Sequence, residues 1–201
     1  MDARDGAAAS RPTAAVLAGG RGRRIGGEKA LAELAGEPLV RYPLAAAAAA
    51  GLDAFVVAKR DSRLPPLGDT TIVTEPDRPR HPLCGVLAAL RHAGGPVLAL
   101  GCDMPFVSAP LLTFICELGE PALARVAGRL QPLPALYLPE HAPALQVAVT
   151  RGDSLTATLS ALSSRTLGEP ELAPFGDPRR LFFGINDAAD LRAAGAQLEA
   201  R

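Results

Sequence analysis

The sequence predicts an α/β fold: three Rossmann-like layers around a mostly parallel central sheet. Three observations carry this reading. Short apolar or β-branched runs alternate with longer helical patterns along the chain, as in βα units rather than in hairpins. The first run, residues 14–18, is too short for a helix and leads straight into a loop holding Gly19, Gly20, Gly22, Gly26 and Gly27. The fourth run, residues 96–100, leads just as directly into Gly101-Cys102-Asp103. Ligands of open parallel sheets sit outside the carboxyl ends of the strands, so these two loops are expected on one rim.

The elements follow in order. Residues 14–18 are strand one, and residues 30–34 a short helical or extended piece. Pro38 suits a first helical turn and opens a helix that runs to about residue 50, closed by Gly51. Residues 53–58, with Phe55-Val56-Val57, are strand two, and residues 70–73 are strand three. The stretch 75–85 contains Pro76, Pro79 and Pro82, which excludes a regular helix or central strand. A helix over residues 86–93 stops at Gly94-Gly95, where strand four begins. Residues 108–118 form a helix with Ser108 as N-cap and Pro110 in its first turn. Residues 121–126 and 130–138 read as strands around a turn at Gly128. A helix over 139–151 closes at Gly152, and Asp153-Ser154-Leu155 starts another. No repeat or interdomain linker appears, so residues 13–201 are expected to form one domain. Residues 1–12 carry acids, arginines and alanines without an apolar core, which is not a signal peptide but a disordered tail.

Composition narrows the function. The 201 residues carry no formal net charge, so no global footprint for nucleic acid or an anionic membrane is present, and neither is an expected partner. Cys84, Cys102 and Cys116 match no zinc spacing and cannot all pair, which suits reduced thiols in the cytoplasm. The alanine run 45–50 is far shorter than the ~20 apolar residues a membrane span needs.

Positive charge is local. Arg21, Arg23, Arg24 and Lys29 share the loop with the five glycines. Glycines let backbone N–H groups crowd an anion, and successive N–H groups form an anion-binding concavity. The loop therefore describes a polyphosphate pocket, although a solvated turn is the competing reading. Two known phosphate motifs fail. From Gly22 the chain reads Gly27, Glu28, Lys29, Ala30, which breaks the P-loop spacing. From Gly20 and Gly22, Ile25 occupies the third position of the dinucleotide fingerprint.

What fits is L-A-G-G-x-x-x-R-[MI]-G-x-x-K, from Leu17 to Lys29. This resembles the opening signature of the MobA-like nucleotidyltransferases, and among them the molybdenum cofactor guanylyltransferases. Asp77 with Pro82-Leu83-Cys84-Gly85 is similar to the family's D…G-P-L-x-G segment, with His81 in place of its first glycine. Cys102-Asp103-Met104-Pro105 resembles [CA]-D-[MTQ]-P. Gln131 to Tyr137 is similar to [RQ]-x-P-L-x-A-L-[YF], with Pro134 where the family often has His. The tail departs most from F-x-N-[IV]-N-T-P-x-D-L: Asn186, Asp190 and Leu191 fit, while Gly184, Asp187 and Ala188 do not.

The resemblance implies a nucleotidyltransferase fold and a magnesium-dependent transfer of GMP from GTP to molybdenum-bearing molybdopterin. A molybdoenzyme or its chaperone would receive the product. Leu17, Ala18, Gly19, Gly20, Lys29, Asp77, Gly85 and Asp103 are then expected to bind nucleotide. Arg24, Lys29 and Asp103 would be catalytic, with Asp103 holding Mg2+. Asn186 and Asp187 would face the acceptor. Read on their own, Asp77 is also a turn former and Asp103 also a helix cap. Two alternatives stay open: a cytidylyltransferase of the same cofactor or a nucleotidyltransferase for another small phosphorylated acceptor, and, from another class, a non-catalytic nucleotide-binding accessory protein. The guanylyl reading rests on Leu17-Ala18-Gly19-Gly20, since cytidylyl relatives usually read Leu-Ala-Ala-Gly.

Overall fold

The computed structural model describes residues 11–22, 27–163 and 165–199. The expected disordered tail, apart from Arg11 and Pro12, lies outside the described residues, as does Arg24.

Four parallel strands form the centre: β1 (Thr13–Leu17), β2 (Ala54–Lys59), β3 (Ile72–Glu75) and β4 (Val97–Gly101). Between them run α1 (Arg41–Ala49) and α2 (Pro82–Ala93), and α3 (Ala109–Glu117) follows β4. Next come β5 (Ala122–Val126), β6 (Arg129–Gln131) and β7 (Ala135–Tyr137). The chain then continues through α4 (Ala142–Arg151), α5 (Leu155–Leu162), β8 (Arg165–Leu167) and α6 (Ala188–Glu199). The main sheet has the order β7-β4-β1-β2-β3, with only β7 antiparallel. A second, three-stranded sheet has the order β6-β5-β8.

Strand periodicity sorts the core into two layers. Ala14, Val16, Val56, Leu98 and Leu100 face one way and pack with Ala47 of α1 and Leu111, Leu112 and Ile115 of α3. Ala15, Phe55, Val57, Val97 and Ala99 face the other way, against α2, α4 and α5. A strand buried on both faces reads as a continuous apolar run, which is why the sequence betrays β1 and β4 so clearly. Among the described residues no helix is long and apolar enough to cross a membrane.

Strand three, expected over residues 70–73, is Ile72–Glu75, and three further elements differ from expectation. Pro38 does not open a helix. Ala35 and Gly36 both have positive φ and fold Glu37–Pro38 back onto Glu33–Leu34 as a two-residue ladder. α1 therefore starts at Arg41, with Pro43 in the first turn where no N–H is needed. α2 starts earlier than expected, at Pro82, because His81 caps it: its Nδ1 accepts from Leu83 N at 3.2 Å. The expected strand over 130–138 is two strands, since Pro132 and Pro134 cannot donate to a ladder. β6 pairs with β5, whereas β7 crosses to the main sheet and pairs with β4.

Candidate active site

Strand order reverses between β1 and β4, and a cleft opens at such a switch point beyond the carboxyl ends. Leu17, the last residue of β1, is level with Gly101, the last of β4. On the other flank Lys59 ends β2 and Glu75 ends β3, and these two are register partners. All four strands thus deliver their last residues to one rim. A cavity of about 520 Å³ opens there, and Gly19, Gly20, Lys29, Lys59, Glu75 and Asp103 are among its lining.

At the β4 end, Lys29 Nζ donates to Asp103 Oδ2 at 2.6 Å and to Asn186 Oδ1 at 2.9 Å. Three distant stretches therefore meet on one ammonium. Asp103 needs a bare neighbour: a Cβ at Gly101 would fall 2.6 Å from Asp103 Oδ1. Its backbone oxygen accepts from Ile185 N at 2.9 Å, which docks the tail loop beside it. Lys29 and Asp103 keep 18% and 24% of their side-chain surface exposed, so both charges remain open to a ligand.

At the β2–β3 end, Lys59 Nζ lies 3.3 Å from Glu75 Oε1 and donates to Pro76 O at 2.9 Å. Both side chains are buried. Burial pushes the Glu75 carboxyl above its ordinary range, and Lys59 opposes that shift by its charge and hydrogen bond. The glycine loop touches this carboxylate: a Cβ at Gly19 would fall 1.9 Å from Oε1. Gly85 in α2 closes the other side, where a Cβ would lie 3.4 Å from Oε2.

The expected site residues divide accordingly. Leu17, Gly19, Gly20, Lys29, Gly85 and Asp103 line the cavity. Ala18 is buried behind it, its N–H committed to Val57 O at 2.8 Å. Asp77 is exposed and outside the lining. β3 ends two residues earlier, and Pro76 turns the chain away, so Glu75 is the acid that faces inward. Asn186 reaches the site through Lys29, while the Asp187 carboxylate caps α6. Its Oδ1 accepts from Ala189 N at 2.8 Å and Asp190 N at 2.9 Å.

Lys59 and Glu75 are absent from the sequence-derived site. A signal for one of them existed: Lys29 and Lys59 are the only lysines in an arginine-rich chain, and both line the cavity. Among the described residues no group of three or more His, Cys, Asp or Glu is placed to hold a metal. Asp103 alone nonetheless suits magnesium, which usually takes one or two carboxylates and completes its shell with water and substrate phosphates.

Known proteins match both the sequence and this architecture. The description of the MobA-like NTP transferase domain matches residues 14–166. A molybdenum cofactor guanylyltransferase of Acidiphilium cryptum is 34% identical over 190 residues, covering 91% of this chain and 93% of that protein. One from Serratia proteamaculans is 32% identical over 190 residues, covering 89% and 91%. The crystal structure of molybdopterin-guanine dinucleotide biosynthesis protein A from Archaeoglobus fulgidus superimposes with a TM-score of 0.80 at 26% identity, covering 94% of this chain and all of that one. A cytidylyltransferase of 2-C-methyl-D-erythritol 4-phosphate from Thermus thermophilus shares the fold, with a TM-score of 0.68 at 18% identity. With Gly19, Gly20 and Asp103 on the expected rim and relatives aligned over nearly their whole length, the chain belongs to the MobA-like NTP transferase family.

Proposed function

We infer that this chain transfers GMP from GTP to molybdenum-bearing molybdopterin, releasing pyrophosphate and forming the guanine dinucleotide cofactor. The observation that carries the reading is its likeness, over nine-tenths of the chain, to the Acidiphilium cryptum guanylyltransferase. The Lys29–Asp103–Asn186 cluster supports it, being a charged cluster open to the cavity.

An oxygen of the acceptor phosphate attacks the α-phosphorus of GTP. The new P–O bond forms as the bond to the β-phosphate bridging oxygen breaks, and pyrophosphate leaves with that electron pair. No covalent enzyme intermediate is needed, so positioning and charge carry the catalysis. Lys29 holds the departing phosphates, and the N–H groups of Gly19 and Gly20 orient the phosphate chain. Asp103 would hold magnesium, with Asn186 Oδ1 the neutral oxygen that shares Lys29 with it. When bound, that ion supplies charge neutralisation on the phosphate oxygens. The reaction runs in the cytoplasm, where a molybdoenzyme or its chaperone takes the product.

The test is pyrophosphate release with molybdopterin and either GTP or CTP, with and without magnesium. Release that requires GTP and magnesium, and that is lost in Asp103→Asn, is expected. Preference for CTP would make the chain a cytidylyltransferase. Tight GTP binding without release would make it an accessory protein.

A further inference from the structure

Only two charged side chains are buried among the described residues, Lys59 and Glu75. They form one ion pair, and that pair lines the nucleotide cavity. The transfer chemistry does not use it. Stability does not account for it either, since a buried ion pair is often no better than apolar residues of the same volume. A pair kept under those conditions has another use.

Its geometry suggests one. Lys59 carries three N–H groups, and two acceptors face them: Pro76 O at 2.9 Å and Glu75 Oε1 at 3.3 Å. One N–H remains for a ligand. Glu75 Oε2 has no donor among the described residues and lies against Gly85, which leaves it room. The cavity wall therefore presents a donor beside an acceptor carboxylate. A base that fits has a ring carbonyl next to N–H donors, as guanine has in O6, N1–H and its exocyclic amine. Adenine offers the reverse order, an amine beside an unprotonated N1. A site built from such groups rejects a base that leaves them unpaired.

We propose that Lys59 is a specificity-determining residue for the donor base: it donates to guanine O6 and orients Glu75 to accept from the neighbouring N–H groups. The inference rests on the reading of GTP as donor. Lys59 also draws the Glu75 carboxyl back down against the burial that raises it. The groups around that carboxylate are Lys59 on β2, Asp77 in the following turn and Cys84 on α2. Arg80 and His81 line the same cavity. Of these, Lys59 is the one that both lowers the carboxyl and touches it.

The experiment is equilibrium binding of GTP, ATP and the triphosphate of 2-aminopurine riboside to the full chain, wild type and Lys59→Met, from pH 6 to 8. The 2-aminopurine nucleotide keeps the amine but lacks O6 and N1–H. Wild type should bind GTP at least tenfold tighter than either analogue. Lys59→Met should lose at least tenfold toward GTP and little toward the analogues, and its GTP affinity should fall as pH is lowered and Glu75 protonates. Lys59→Arg, which keeps charge and donors, should recover part of the selectivity. The rest of the cavity lining is the same in both proteins, so the difference between their pH profiles isolates the Lys59–Glu75 pair. A Lys59→Met protein that still prefers GTP as strongly as wild type overturns the proposal while leaving GTP as the donor. A wild type with no preference for GTP overturns the donor assignment itself. Should Lys59→Met fail to fold, the wild-type comparison decides, because equal binding of GTP and the 2-aminopurine nucleotide excludes a donor to O6.

Discussion

Gly19 and Glu75 occupy one another's space: a β-carbon on Gly19 would stand 1.9 Å from Glu75 Oε1. The glycine at this position is thus tied to an acid 56 residues away in sequence. The clash meets the end of a side chain, which would ordinarily swing aside. Here the carboxylate is buried and paired with Lys59, so moving it breaks the pair.

Gly19→Ala is therefore expected to weaken GTP binding by roughly tenfold or more, the order of one lost charge-assisted hydrogen bond. Adding Glu75→Asp draws the carboxylate back by one methylene and should restore part of that loss. Isothermal titration of both variants checks it. If Gly19→Ala alone binds GTP like wild type, the contact is not a constraint.

Lys29 gathers Asp103 and Asn186 at 2.6 and 2.9 Å. Lys29→Ala should reduce affinity for the triphosphate at least tenfold, since hydrogen bonds to charged groups contribute about 1.5–3 kcal/mol each. The variant should stay folded at the assay temperature, which a melting curve checks, so that the loss reports binding and not unfolding. Unaltered GTP titration and turnover in this variant would remove Lys29 from the site.

Adjacent residues in the tail should separate cleanly. Asn186→Ala removes an oxygen held by Lys29 and an amide that donates to Gly184 O at 3.1 Å. It should slow transfer more than it weakens GTP binding. Asp187→Ala removes the cap of α6 and should cost about 1 kcal/mol of stability with kinetics preserved. Denaturant melts alongside steady-state rates distinguish the two. Loss of transfer in a stably folded Asp187→Ala would return that carboxylate to the acceptor side.

How far the sequence reveals this site depends on whether the information is local. The glycine loop and Asp103 each directly follow a strand buried on both faces, so strand pattern and motif agree within a few residues. Pro132 and Pro134 already argue against one strand over 130–138, but which sheet each half joins is decided by β5 and β4, far along the chain. Lys59 and Glu75 are harder still. Each looks like an ordinary polar residue at a strand end, and only the β2–β3 register makes them partners. The family pattern points to Asp77 because it specifies an acid before Gly85, not where β3 stops. The one local hint is that Lys59 is, with Lys29, one of only two lysines in an arginine-rich chain.

Stability and recognition should come apart at the Lys59–Glu75 pair. Burial raises the Glu75 carboxyl above 4.5, its ordinary value. Between that value and the raised one, the unfolded chain holds fewer protons than the native protein, so this group makes stability fall as pH rises through the window. Removing one partner leaves a buried charge alone, and Lys59→Met or Glu75→Leu should each cost about 3–5 kcal/mol. Removing both leaves no buried charge. The double variant Lys59→Met/Glu75→Leu should recover wild-type stability or exceed it by about 1–4 kcal/mol, should lose the Glu75 contribution to the pH slope, and should no longer select GTP. Urea denaturation from pH 4.5 to 8, with GTP and ATP titrations, measures all three. A double variant as unstable as the two single variants combined would mean that the pair holds the sheet edge together rather than serving the base.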